Sequence, residues 1–243
     1  MQKNPNSEFI HGIKSGLPIG LGYLSVSIAF GVQASIAGLP VFMSLFISMT
    51  NLTSAGQLAG LTVIASLGTV LEIILTQLVI NARYFLMSLT LTQKLDDSFS
   101  LGHRLLCSAF VTDEIFAVAS ARTKPFNRKF FYGLVILPYI GWATGTAIGA
   151  GLGNVLPVNV TNALGIGLYA MFIAIIIPPS MKNKGVFPAV IFATLISCAL
   201  FYIPFFSGLS EGFKFIISAI VASLITAIFF PIKIDDDAIK GGA

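Results

Sequence analysis

The sequence predicts an all-α, polytopic membrane bundle, and three observations carry that prediction. Of 243 residues, 56% are hydrophobic and only 10% are charged, against roughly a quarter charged in ordinary soluble domains. Mean hydropathy is +0.90. The basic residues sit in short stretches between long apolar runs, the placement that orients a chain in a bilayer. A soluble chain of this length needs more polar surface than these residues supply. Lipid removes that need, because the outside of a membrane bundle stays apolar. The net charge of +4 is too small and too scattered for a nucleic-acid surface, so the bilayer is the expected partner and nucleic acid is not.

A crossing helix needs about 20 apolar residues, and such runs occur at about 16–39, 40–65, 66–93, 103–121, 130–152, 157–178, 186–206 and 212–232. The polar start, Met1 to Glu8, lacks the pattern of a cleaved leader, so the first run is expected to stay as a helix. The segment 122–129 has four basic residues and no acid, which predicts a cytoplasmic loop. Lys182 and Lys184 mark a second such loop, and Lys233 and Lys240 a cytoplasmic tail. Counting back puts 94–102 outside, while Lys3 and Lys14 put the N-terminus inside. Eight spans with both termini inside satisfy this. If 40–65 only dips in and returns, the total is seven and the N-terminus lies outside, against its charge. The chain reads as one transporter domain, 1–243, with candidate halves at 15–121 and 130–232. Leu17-Pro18 recurs as Leu137-Pro138 and Leu39-Pro40-Val41 as Leu156-Pro157-Val158, both near 120 residues apart. This is a candidate internal repeat of undetermined sense.

Charges inside membrane helices are functional candidates by default. Here they are few: Glu72 and Arg83 in the third run, Asp113 and Glu114 in the fourth, none in the fifth to seventh. Glu72 and Arg83 share a face with Thr76, yet stand roughly 16 Å apart along the axis, so each needs another partner. Gln77, Asn81, Tyr84 and Ser88 make a second polar stripe. The stripes line a substrate or ion pathway, or form a hydrogen-bonded seam between helices. One of Asp113 and Glu114 is free to pair with Arg83, leaving the other to titrate or to meet a cation; a fixed ion pair is the structural alternative.

The patch from Asn51 through Ser54, Ala55, Gly56 and Gln57 predicts a broken helix near 51–57. A helix starting near Ser54 aims free N–H groups at the membrane interior, where they hold a carboxylate. Pro18, Gly20 and Gly22 make the first run similarly loose, unless they simply pack. Cys107 and Cys198 read as small buried hydrophobes. His11 and His103 lack metal-ligand spacing, so no metal, no cofactor and no enzymatic activity are expected.

At these residues the chain resembles the AzlC family, large subunits of bacterial branched-chain amino acid exporters of the YgaZ type. The resemblance spans nearly the whole chain. It rests on Gly16-Leu-Pro18-Ile-Gly20, Ala55-Gly56-Gln57, Asn81-Ala-Arg83-Tyr84 and Thr112-Asp113-Glu114-Ile-Phe116. Tyr84 stands where the family often has His, which argues against a proton relay there. The resemblance implies export of valine, leucine and isoleucine, with methionine a further candidate, across the bacterial cytoplasmic (inner) membrane. It further implies proton-gradient coupling and a small hydrophobic partner subunit of the AzlD (YgaH) type. The residues suit an apolar zwitterion. Arg83 or the break at 54–57 meets its carboxylate, Asp113 or Glu114 its ammonium, with Asn81 and Tyr84 beside them; Glu72, Asp113 and Glu114 serve coupling or ion pairing. The rival readings are a transporter or channel for another small solute, or a non-transporting membrane assembly subunit.

Overall fold

A computed structural model describes residues 5–153, 155–182 and 185–230; Lys3, Lys184, Lys233 and Lys240 lie outside them. The helices are α1 (Pro5–Ile36), α2 (Val41–Thr50), α3 (Ser54–Ala65), α4 (Val70–Thr92), α5 (Leu101–Ser108), α6 (Asp113–Ser120), α7 (Arg128–Leu152), α8 (Val158–Lys182), α9 (Val186–Tyr202) and α10 (Glu211–Phe229). Four of the described helices, within α1, α4, α7 and α10, are long and apolar enough to cross a membrane. The chain is a helical membrane protein.

Helices α1 and α7 form the spine. Gly12 meets the backbone of Phe130 and Gly133, Gly20 meets Leu137, and Gly31 meets Thr146 and Ala150, so the two helices run in the same direction. Glycines on both, including Gly16, Gly141, Gly145 and Gly149, leave no room for a Cβ, which lets the backbones touch along much of their length. Helix α1 passes through Pro18 unbroken. The loose stretch at 16–22 is thus packing rather than a break: Gly20 seats on α7, while Gly22 faces open space. The two Leu-Pro pairs separated by about 120 residues lie in these parallel helices. The echo stops one element later, where α8 is continuous and its counterpart is the broken pair α2–α3.

Call the end carrying Arg122 the basic end. There Arg122 pairs with Glu8 at 3.1 Å and lies over the Phe130 ring. From the opposite end α2 descends, with Ser48 bonded to Thr146 and Tyr139 donating to the Met49 carbonyl. The chain then turns at 51–53. Helix α3 climbs back, packing Leu61 on Phe30 and Ala34 near the end of α1. The mirror arrangement follows. Helix α5 leaves the basic end, where Arg128 hydrogen-bonds His103, and reaches mid-height, where Phe110 meets Tyr139 edge-on. Helix α6 returns to the basic end, where Lys94 donates to the carbonyls of Ser120 and Arg122.

The break expected at 51–57 is therefore present at 51–53, and a second lies at 109–112. Two of the eight apolar runs dip and return as opposed helix pairs instead of crossing, which lowers the expected count of eight crossings, or seven. Because both runs dip, α1 and α7 still point the same way. The loop at 94–102, expected outside, lies on the basic end: Phe126 donates its amide to the Lys94 carbonyl and Asp96 donates to the Phe126 carbonyl. A hairpin at mid-height needs no charged loop, so charge counting passes over it. Cys107 is buried as expected, but Cys198 is exposed on α9.

Candidate transport site

Both helix breaks are built by threonine. Thr53 caps α3 by accepting from the Gly56 amide, and Thr112 caps α6 by accepting from the Ile115 amide. The first-turn amides of each half-helix have no carbonyl partner inside the helix, so each break presents donors and the positive end of a helix dipole. The two half-helices start at mid-height and point away from each other. Between their starts lies a cavity of about 380 Å³, large enough for a single amino acid.

Its wall is mixed in character. Pro18, Ile19, Val26, Leu52 and the ring of Trp142 are apolar; Ser54, Thr53, Thr112, Asp113, Glu114, Tyr23 and Tyr84 bring the polar atoms. Each capping threonine is tied to a tyrosine. Tyr84 donates to Thr53 Oγ1 at 3.2 Å, and the Tyr23 hydroxyl lies 2.6 Å from Thr112 Oγ1. Tyr23 also hydrogen-bonds the Glu114 carboxylate and packs edge-on against Trp142.

Arg83 pairs with Asp113 at 3.0 Å, the two side chains keeping 41% and 34% of their exposure. Arg83 also donates to the Tyr84 hydroxyl at 2.9 Å. The ion pair is thus the one the stripe on α4 lacked, and it leaves Glu114, held by Tyr23, as the second acid. Asp113 and Glu114 both reach the cavity despite their differing directions on the helix, because they occupy its first turn. Ala109, the C-cap of α5, lies across the break from Asp113.

Other predicted residues stand behind the site. Gln57 is 1% exposed and clamps the α2–α3 turn by donating to Ser48 Oγ and the Asn51 carbonyl. Asn51 and Asn81 both donate to Gln77, which donates to the Gly56 carbonyl. Gly56 is closed in by these side chains, and Ala55 is not among the lining residues. Of the predicted set, Ser54, Tyr84, Asp113 and Glu114 come together at the cavity with Pro18 and Gly22, and Arg83 joins them through Asp113. Glu72 does not; it lies in the first turn of α4, capped by Thr69. Tyr23, Thr53 and Trp142 were not singled out from the sequence, and Thr112 was named only as the first residue of a motif. Thr112 had a readable signal, a threonine followed by two acids, which is how a helix N-terminus is written.

A family model described as AzlC protein matches residues 18–156. The inner membrane protein YgaZ of Escherichia coli K12 is 27% identical over 207 residues, 82% of this chain and 84% of that protein. An uncharacterized membrane protein of Archaeoglobus fulgidus is 31% identical over 185 residues, covering 75% and 80%. The branched-chain amino acid transport protein AzlC of Bacillus subtilis is 25% identical over 212 residues, covering 86% and 79%. No solved structure matches. The matched residues run from Pro18 on the cavity wall through both helix breaks to the end of the α1–α7 spine, and the chain belongs to the AzlC family of membrane transport proteins.

Proposed function

We propose that the protein exports branched-chain amino acids from the cytoplasm of a bacterium across its inner membrane. The observation that carries this reading is the cavity where two opposed half-helices begin. A zwitterion with an aliphatic side chain has three needs, and the wall meets each. Its carboxylate fits the first-turn amides of α3 at Ser54, since Arg83 is engaged by Asp113. Its ammonium fits Glu114 and Asp113. Its side chain fits the surface made by Ile19, Val26, Leu52 and Trp142. Valine, leucine and isoleucine suit that surface, and methionine is a further candidate.

The basic end, with Lys94, Arg122 and Arg128, faces the cytoplasm in this reading. Transport is secondary and driven by the proton gradient, with the acids outside the Arg83 pair as carriers. The chain works as the large subunit of a two-component permease. The outer face of α4, bearing Leu78, Phe85, Leu86 and Leu89, is available to a small hydrophobic subunit of the AzlD type.

The test is uptake of labelled leucine into everted membrane vesicles containing both subunits. Accumulation that an uncoupler abolishes supports the exporter. Leucine flux that follows its own gradient and ignores every ion gradient contradicts it and favours a channel.

A further inference from the structure

Far from the cavity, α3, α4 and α10 enclose a polar cluster that solute binding does not use. Glu72 is 6% exposed and Thr76 fully buried, one turn apart on α4. Neither Glu72 Oε2 nor Thr76 Oγ1 has a hydrogen-bond partner among the described residues. Thr76 is unusual in this. Thr62, Thr90, Thr194, Ser218 and Thr226 each donate back to the carbonyl four residues earlier, whereas Thr76 turns its hydroxyl away from its own helix. Both side chains face Gly212 of α10: a Cβ built there would lie 3.1 Å from Glu72 Cβ and 3.4 Å from Thr76 Oγ1. A Cβ at Gly68 would lie 2.5 Å from Glu72 Oε2 and 3.0 Å from the Val63 carbonyl oxygen. Glycine at both positions leaves space on either side of Glu72, at its carboxylate oxygen by Gly68 and at the Thr76 hydroxyl by Gly212.

The charged groups facing Glu72 are few. From α10 come Glu211 and Lys214; Lys214 pairs with Glu211 at 3.5 Å and rests over the Phe201 ring, so its charge is already engaged. From α3 comes Val63 with its carbonyl, and the turn at 66–69 brings no charge. A buried carboxylate oxygen with no partner is costly unless a proton or a metal ion neutralises it.

We infer that Glu72 and Thr76 hold the coupling cation at a site separate from the solute cavity, a proton in the reading above, with sodium as the alternative that the experiment tests. Glu72 precedes Arg83 by eleven residues, about 16 Å along α4. The two sites therefore communicate through that helix rather than by contact. A proton neutralises the Glu72 carboxyl outright; sodium would draw on the side-chain oxygens of Glu72 and Thr76, since the Val63 carbonyl already accepts from the Gly68 amide and Ser66 Oγ. The site closes only while α10 lies against α3 and α4, which ties cation occupancy to helix position. This inference rests on the reading of the chain as an ion-coupled amino acid transporter.

The experiment uses the two-subunit complex in liposomes, with wild type, Glu72→Gln and Thr76→Val. Leucine–leucine exchange needs the solute site alone, whereas accumulation under an imposed pH or sodium gradient needs the cation site as well. Glu72→Gln is expected to keep exchange near the wild-type rate and to lose driven accumulation. Thr76→Val, which removes only the hydroxyl, raises the cation concentration for half-maximal accumulation about tenfold, the worth of one hydrogen bond or ligand to a charged group. Whichever gradient drives the wild type names the ion. Driven accumulation by Glu72→Gln equal to wild type overturns the site, as does loss of exchange and accumulation together in Glu72→Gln with Thr76→Val unaltered. Thermal unfolding of the purified complex gives an arm independent of solute. The wild-type midpoint moves with pH or sodium and that of Glu72→Gln does not; equal shifts in both overturn the site. Failure of the wild type to exchange leucine refutes the transport reading instead, and the unfolding comparison still decides the site.

Discussion

Asp113 is the residue on which the cavity turns. It stands in the first turn of α6, faces the cavity and pairs with Arg83, so changing either partner alters the charge of the cavity wall. Asp113→Asn and Arg83→Ala are expected to lower leucine efflux about tenfold, because removing either partner of this half-exposed pair changes the charge of the cavity wall. Membrane insertion should stay normal, checked by the yield of protein in the membrane fraction. Wild-type efflux from both variants refutes the assignment. Trp142 is 3% exposed and its ring closes the apolar wall; Trp142→Ala should raise the KM for leucine more than it lowers the maximal rate, because it removes ground-state contact. The charges were legible in the sequence, since an intramembrane acid stands out against apolar neighbours. Gln57 and Asn81 were legible as polar but not as clamps. Whether an amide points at a cavity or at a neighbouring turn depends on which helix lies opposite, and local sequence does not say.

Two helix pairs, α2–α3 and α5–α6, enter from opposite ends. The Asn51–Gln57 patch predicted the first break because asparagine, serine and glycine interrupt an apolar run. The second, at 109–112, went unread because Ala109, Phe110 and Val111 are apolar and only Thr112 marks the turn. Sidedness tests the arrangement. With native cysteines replaced, Leu67→Cys, in the turn between α3 and α4 where the side chain is 92% exposed, and Asp97→Cys, in the turn after α4, should react with an impermeant thiol reagent from opposite sides. Asp97→Cys should react from the same side as Lys124→Cys. An eight-crossing chain also separates Leu67 from Asp97, but puts Leu67 on the side of Lys124 and Asp97 on the other. The spine makes a second prediction. Gly149→Val drives a side chain into the backbone of Ile28, and overpacking of this kind costs about 1–3 kcal/mol. The variant should show a lower unfolding midpoint in detergent, while Gly22→Ala, which faces open space, should leave the midpoint unchanged.

For the whole molecule, composition was enough to place the chain in a membrane, and parity of charged loops was enough to orient α1 and α7 alike. It was not enough to count crossings, because two returning hairpins leave parity untouched. The cavity follows from how they return: each delivers a helix N-terminus to mid-height, and the cavity lies between those N-termini. Ser54, at the start of α3, lines that cavity, so it reports most directly on whether the solute binds there. The deciding measurement is the alkylation rate of Ser54→Cys in the two-subunit complex with and without leucine. The account predicts that leucine slows the reaction in a saturable way, that glutamate does not, and that Leu67→Cys is unaffected by either. An alkylation rate at Ser54→Cys that leucine leaves unchanged, in a complex that still transports leucine, contradicts it.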